Sequence, residues 1–166
     1  MKLTTTNPQQ TMLLGKLIGE CCVPGDVLLL NGELGTGKTL FTKGIALALE
    51  IPTQRVISPS FTIIFEYHHG RIPLYHMDFY RLNRVADLED LGLERYGSGD
   101  GVLVVEWADR IPQAFPVPSL RCEFAWQGEN ERVLSLLPQT ERWEKLLVDR
   151  SVQIEKILVD CRNSIV

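Results

Sequence analysis

Apolar residues return at helical spacing through Met12, Leu13, Leu14, Leu17, Ile18 and Cys21. That stripe predicts a surface-packed amphipathic helix, with Asn7 as its N-cap and Pro8 in the first turn, where a helix leaves the N–H unpaired anyway. The segment PGDVLLLNG follows. Its Pro-Gly is a turn signal, and the apolar run between Asp26 and Asn31 is too short for a helix but suits a strand buried on both faces. From Lys38 to Glu50, the residues Leu40, Phe41, Ile45, Leu47, Ala48 and Leu49 spread over a wide apolar face. A second helix therefore begins directly after a cluster of glycines.

The stretch FTIIFEYHHGRIPLYHMDFY divides into two β-rich runs around His69, Gly70 and Arg71, the pattern of a hairpin. Pro73, which has no N–H to donate, favours an edge position for the second run. Within YHMDFYR the two-residue period sends His76 and Asp78 to one face and Tyr75, Met77 and Phe79 to the other. RVADLEDLGLERYGSGD carries Val85, Leu88, Leu91 and Leu93 among carboxylates, a short helix stopped by a Gly-Ser-Gly turn. GVLVVEW reads as a second buried strand. LRCEFAWQ and ERVLSLLP are two further β-like segments around Gly128 and Asn130, and Trp143, Leu146, Leu147, Ile154, Ile157 and Leu158 predict one amphipathic tail helix over residues 139–162.

Composition narrows the class. The 166 residues are 45% hydrophobic and 23% charged, the balance of one ordinary globular domain. A net charge of −4 does not draw in a nucleic-acid backbone unaided, so any RNA is expected to be held by a partner. MKLTTTNPQQ lacks the apolar core of a secretory signal, and no run approaches the roughly 18 apolar residues that span a bilayer. The expected location is cytoplasmic, with no membrane contact. Cys21, Cys22, Cys122 and Cys161 show neither metal-ligand spacing nor a CxxC pair and read as buried or idle thiols.

The glycine cluster between the first strand and the second helix matches G-x-x-x-x-G-K-[ST] as Gly32, Glu33, Leu34, Gly35, Thr36, Gly37, Lys38 and Thr39. Glycines allow positive φ and close approach, so the N–H groups from Leu34 through Gly35, Thr36, Gly37, Lys38 and Thr39 converge on phosphates at a helix N-terminus. Lys38 adds a full charge at the β- and γ-phosphates, and the Thr39 hydroxyl is placed to ligate Mg²⁺. The implied ligand is a nucleoside triphosphate. Phosphate-loop proteins usually place an acidic residue at the end of a neighbouring buried strand, and GVLVVEW offers Glu106 there rather than the usual aspartate. Asp78 could orient a water or a magnesium ligand; by spacing alone it reads rather as a strand-end or cap residue, and His76 as a satisfied core or surface histidine. Ser60 and Thr62 in SPSFT could offer hydroxyls to phosphate or simply form a turn.

Taken together, GELGTGKT, SPSFT with the following EY, YHMDFYR, LEDLGL and VEWADR resemble, in order and separation, the TsaE family of small ATPases required in bacteria for threonylcarbamoyladenosine in tRNA. The resemblance runs from the first helix to about residue 135. It implies an ATP site at Lys38 and its loop including Leu40, Mg²⁺ ligands at Thr39 and Glu106, γ-phosphate sensors at Thr62 and Asp78, and Trp107 shaping the pocket. Ser60 stands where threonine is common, and QGENERVLSLLP matches the family's late basic stretch only loosely, with Arg132 as its nucleotide contact. The expected architecture is a single α/β P-loop NTPase domain over residues 1–166, with a mostly parallel central sheet, an antiparallel hairpin portion and flanking helices.

The expected activity is a slow Mg-dependent ATPase, with Lys38, Asp78 and Glu106 as its catalytic groups. It would act as a switch on a complex of the TsaB and TsaD proteins that the resemblance implies as partners, meeting tRNA only through them. The rival reading is a small-molecule kinase with Arg81, Arg84 and Arg95 as a basic lid. A guanine-reading N/T-K-x-D motif is absent from the sequence.

Overall fold

The computed structural model describes residues 1–89, 92–93, 96, 99–115 and 120–160. Its strands are β1 (Lys2–Thr5), β2 (Val27–Gly32), β3 (Ile64–Tyr67), β4 (Leu74–Asp78), β5 (Val102–Glu106), β6 (Leu120–Trp126) and β7 (Arg132–Pro138). They form one seven-stranded sheet in the order β1-β7-β6-β2-β5-β4-β3. The central run β6-β2-β5-β4 is parallel, and the margins β1-β7, β7-β6 and β4-β3 are antiparallel. Parallel neighbours must be apolar on both faces, and every residue of β4 and β5 is buried, as is every residue of β2 before Gly32.

The helices are α1 (Pro8–Cys21), α2 (Lys38–Ala48), α3 (Ala86–Glu89), α4 (Glu141–Asp149) and α5 (Ser151–Asp160). Asn7 caps α1 by accepting the Gln10 N–H at 2.9 Å, with Pro8 in the first turn. On one face of the sheet, α1, α2, α4 and α5 bury Leu14, Ile18, Phe41, Ile45, Trp143 and Ile154 against Leu28, Leu30 and Val104. The other face carries Leu29, Met77, Leu103 and Val105 under Phe79, Leu88, Tyr96 and Ile111. The pair α1 and α2 sits unusually close, because Gly15 lies on the Phe41 carbonyl and Gly44 on the Met12 carbonyl.

Several expectations change here. The hairpin forms, with Phe65 opposite His76, but β4 is not the edge. Pro73 lies just before β4, where its missing N–H breaks no ladder bond and its carbonyl accepts the Val102 N–H at 2.8 Å, and β3 takes the edge instead. The tail is not one helix but two, since α4 ends at Asp149 and α5 starts at Ser151. The break lets Trp143 and Ile154 both reach the core, and the Gln10 amide ties α1 to the Leu158 carbonyl at 2.9 Å. Arg142 pairs with Asp26 at 2.9 Å and anchors α4 to the start of β2. The extended segment β1 was not foreseen, because Lys-Leu-Thr-Thr is too short to show a period. Leu91, Arg95 and Cys161 lie outside the described residues.

Candidate functional site

The strand-to-helix loop from Gly32 to Lys38 rises over the carboxyl end of the parallel strands. Gly35 and Gly37 have φ of 78° and 103°, a region that excludes most side chains, so the loop can turn tightly into the first turn of α2. Register puts Glu106 beside both Leu30 of β2 and Asp78 of β4. Two buried carboxylates, each 3% exposed, therefore face the loop from adjacent strands.

The Thr39 hydroxyl donates to Glu106 Oε2 at 3.0 Å. His76 Nε2 lies 2.8 Å from Glu106 Oε1. Asp78 accepts the Ser58 hydroxyl at 2.6 Å and the Tyr80 N–H at 2.8 Å, which ties the loop before β3 to the end of β4. Lys38 folds back, donating to the Gly32 and Glu33 carbonyls at 2.6 and 2.8 Å with Nζ 4.0 Å above the Trp107 ring. Burial lowers the pKa of its ammonium, while Glu106, Asp78 and Asp109 oppose that shift. Trp107 and Ile63 hold φ of 57° and 69°, strained positions for a tryptophan and a β-branched residue that flank the carboxylates in the fold.

Lys38, Thr39, Ser58, Glu106 and Trp107 border a cleft of about 360 Å³, within the range of small-molecule sites, whereas Asp78 and His76 lie behind its wall and do not line it. The cleft is lined by the loop from Leu34 through Gly35, Thr36, Gly37, Lys38, Thr39 and Leu40, and by Glu106, Trp107 and Ser58. Asn7, Pro8 and Thr11 at the α1 start and Asn130 and Arg132 of the β6-β7 hairpin complete its walls. Arg132 stacks over Trp126 at 3.5 Å, and Trp126 in turn packs against Gly35. Thr62 is exposed on the loop before β3 and does not border the cleft, and Ser60 does not border it either. Ser58, the first residue of SPSFT, occupies the place instead. Of the lid arginines, Arg81 lies over Phe61 at 4.1 Å and Arg84 pairs with Asp87 at 2.9 Å, so neither covers the loop. Cys21, Cys22 and Cys122 are buried and free, far from this chemistry in character.

Sequence reasoning brought the loop, Thr39 and Glu106 together correctly as neighbours in space. It missed Ser58 and the walls formed by α1 and the β6-β7 hairpin; His76, read as a core or surface histidine, is indeed buried but also meets Glu106. Ser58 had a signal in SPSFT; the walls come from residues far apart in the chain and had none.

An α/β domain with a glycine loop between a buried strand and a helix, and an acidic residue closing the next strand, is the class of protein that fold and site define. Comparison with known proteins narrows it. Residues 5–134 match the family model of the threonylcarbamoyl adenosine biosynthesis protein TsaE. The tRNA threonylcarbamoyladenosine biosynthesis protein TsaE of Bacillus subtilis is 45% identical over 151 residues, covering 91% of this chain and 94% of that protein. The protein of the same description from Nostoc is 43% identical over 141 residues, covering 82% and 85%. The crystal structure of Bacillus subtilis YdiB superposes with a TM-score of 0.79 at 41% identity, covering 92% of this chain and 95% of the other. The chain belongs to the TsaE family, a family of tRNA threonylcarbamoyladenosine biosynthesis.

Proposed function

We propose that this protein binds and hydrolyses ATP with magnesium, and that the cycle serves threonylcarbamoyl modification of tRNA adenosine through a complex with the TsaB and TsaD proteins. The observation that carries the reading is the convergence of Thr39 and Glu106 at 3.0 Å beneath a glycine loop that opens a helix. An anion suits that position because unpaired N–H groups and the helix dipole point at it. Hydroxyl and carboxylate oxygens are the hard donors magnesium takes, and Thr39 with Glu106 supplies one of each, leaving its other positions to phosphate oxygens and water. So held, magnesium would contribute charge that offsets the β- and γ-phosphate oxygens.

The protein's own groups do the rest. Lys38 exchanges the Gly32 and Glu33 carbonyls for phosphate oxygens, a substitution its partial desolvation favours because the bare ammonium is already poorly hydrated. Trp107 holds that ammonium over its ring until phosphate draws it away. Asp78, pinned by the Tyr80 N–H and by Ser58, which borders the cleft, would orient a water through that serine. Its tether is the loop carrying Thr62, so closure of that loop would bring a second hydroxyl toward the phosphates. Such an enzyme is slow until a partner protein completes the closure.

Calorimetry with ATP and magnesium, and phosphate release measured with and without the TsaB and TsaD proteins, test the reading. Expected are ATP binding that strengthens with magnesium and a turnover that the partners change. No heat with ATP at millimolar concentration, or turnover that ignores both partners, would overturn it.

A further inference from the structure

His76 stands at the middle of β4 and is fully buried. Nε2 lies 2.8 Å from Glu106 Oε1, while Nδ1 has no hydrogen-bond partner among the described residues. A carboxylate only accepts, so Nε2 carries a proton and donates it to Glu106. A half-satisfied imidazole whose cross-strand neighbours are Phe65 and Val104 is a poor choice for packing alone, since an apolar side chain of the same size would leave no polar atom unpaired.

The ring instead answers a problem Glu106 has. A glutamate rotates about its side-chain torsions, and its carboxylate at the end of β5 must present one particular oxygen beside Thr39. We propose that His76 is a positioning residue: its Nε2–H holds Oε1 on the β4 side and thereby aims Oε2 at the magnesium position beside Thr39. This rests on the ATP and magnesium reading above. Groups that hydrogen-bond a metal-ligating carboxylate fix its orientation, and their loss weakens metal affinity by about 10–100-fold.

His76→Met keeps the volume and removes the donor; His76→Gln keeps one donor at the reach of Nε2 and one acceptor. ATP affinity is measured by calorimetry for wild type and both variants, once in magnesium and once in chelator, with melting temperatures of the nucleotide-free proteins alongside. The wild type should bind more tightly in magnesium. The Met variant should lose about 10–100-fold of that gain while matching the wild type in chelator. The Gln variant should recover most of it. A Met variant that keeps the full magnesium gain, or loses equal affinity in both buffers, overturns the proposal, as does a Gln variant no better than Met. Should the Met variant fail to fold, His76→Asn, whose shorter amide stops short of Glu106, is judged by the same outcomes. A wild type that binds no ATP, or binds it alike in both buffers, instead brings down the functional reading itself.

Discussion

Thr39 in the first turn of α2 and Glu106 at the end of β5 meet through a 3.0 Å hydrogen bond across 67 positions of sequence. The parallel register of β2 and β5 makes this possible, because Glu106 aligns with Leu30 just before the chain leaves the sheet to form the loop. Groups that act as a unit are not additive when removed. Thr39→Val and Glu106→Gln should therefore each raise the magnesium concentration needed for ATP turnover by about 10–100-fold, and the double variant should be little worse than the weaker single one. Magnesium titrations of ATP turnover in a double-mutant cycle check this.

Lys38 contributes hydrogen bonds of the charged kind, worth about 1.5–3 kcal/mol each once phosphate replaces the loop carbonyls. Lys38→Ala should weaken ATP binding on the order of 10–100-fold and abolish measurable hydrolysis. Trp107 fluorescence should change on nucleotide addition, because Nζ leaves the ring, and that change should be lost in the same variant.

Close approach of α1 and α2 depends on glycines rather than on large side chains. A Cβ at Gly44 would fall on the Met12 carbonyl and within 2.7 Å of the Lys16 nitrogen, both rigid backbone atoms. Gly44→Ala should destabilise the fold by about 1–3 kcal/mol despite alanine's better helix propensity. The melting temperature should fall by about 2–4 °C for each kcal/mol.

Alkaline stability has an identifiable contributor. The Tyr75 hydroxyl donates to Asp100 at 2.8 Å, and burial, followed by that carboxylate, pushes its pKa up from 10.0 to about 12. Between those values the unfolded chain releases the proton and the folded one keeps it, so the stabilisation is whole below pH 10 and is lost as pH rises through 12. Tyr75→Phe should flatten that part of the curve, measured by denaturant unfolding at stepped pH, while leaving the neutral-pH slope with denaturant unchanged.

The central elements were legible because their signals are local. VLLLNG and VLVVE are continuous apolar runs, the α1 and α2 stripes keep a helical period, and the loop pattern between them is eight contiguous residues. Pro73 misleads because a missing N–H suits an edge strand, whereas a position just outside the strand satisfies the same constraint. The tail misled because its apolar period runs through Arg150, and the bend there is set by two anchors, Trp143 and Ile154, that must reach the same core. Thr62 and Ser58 show the finer limit: the motif SPSFT was seen, but which hydroxyl meets Asp78 depends on the turn that gives Ile63 its positive φ.

By itself the sequence determined where backbone N–H groups would gather around Lys38 and which strands would be buried, since both follow from short runs of residues and the conformations those residues permit. Only the tertiary structure decided which oxygen of Glu106 faces Thr39, that His76 holds the other, and that the start of α1 and the β6-β7 hairpin wall the cleft. Those relationships are set by strand order and register, which bring residues 30 and 67 positions apart within hydrogen-bond reach and gather the cleft walls from both ends of the chain, leaving no trace in any local period.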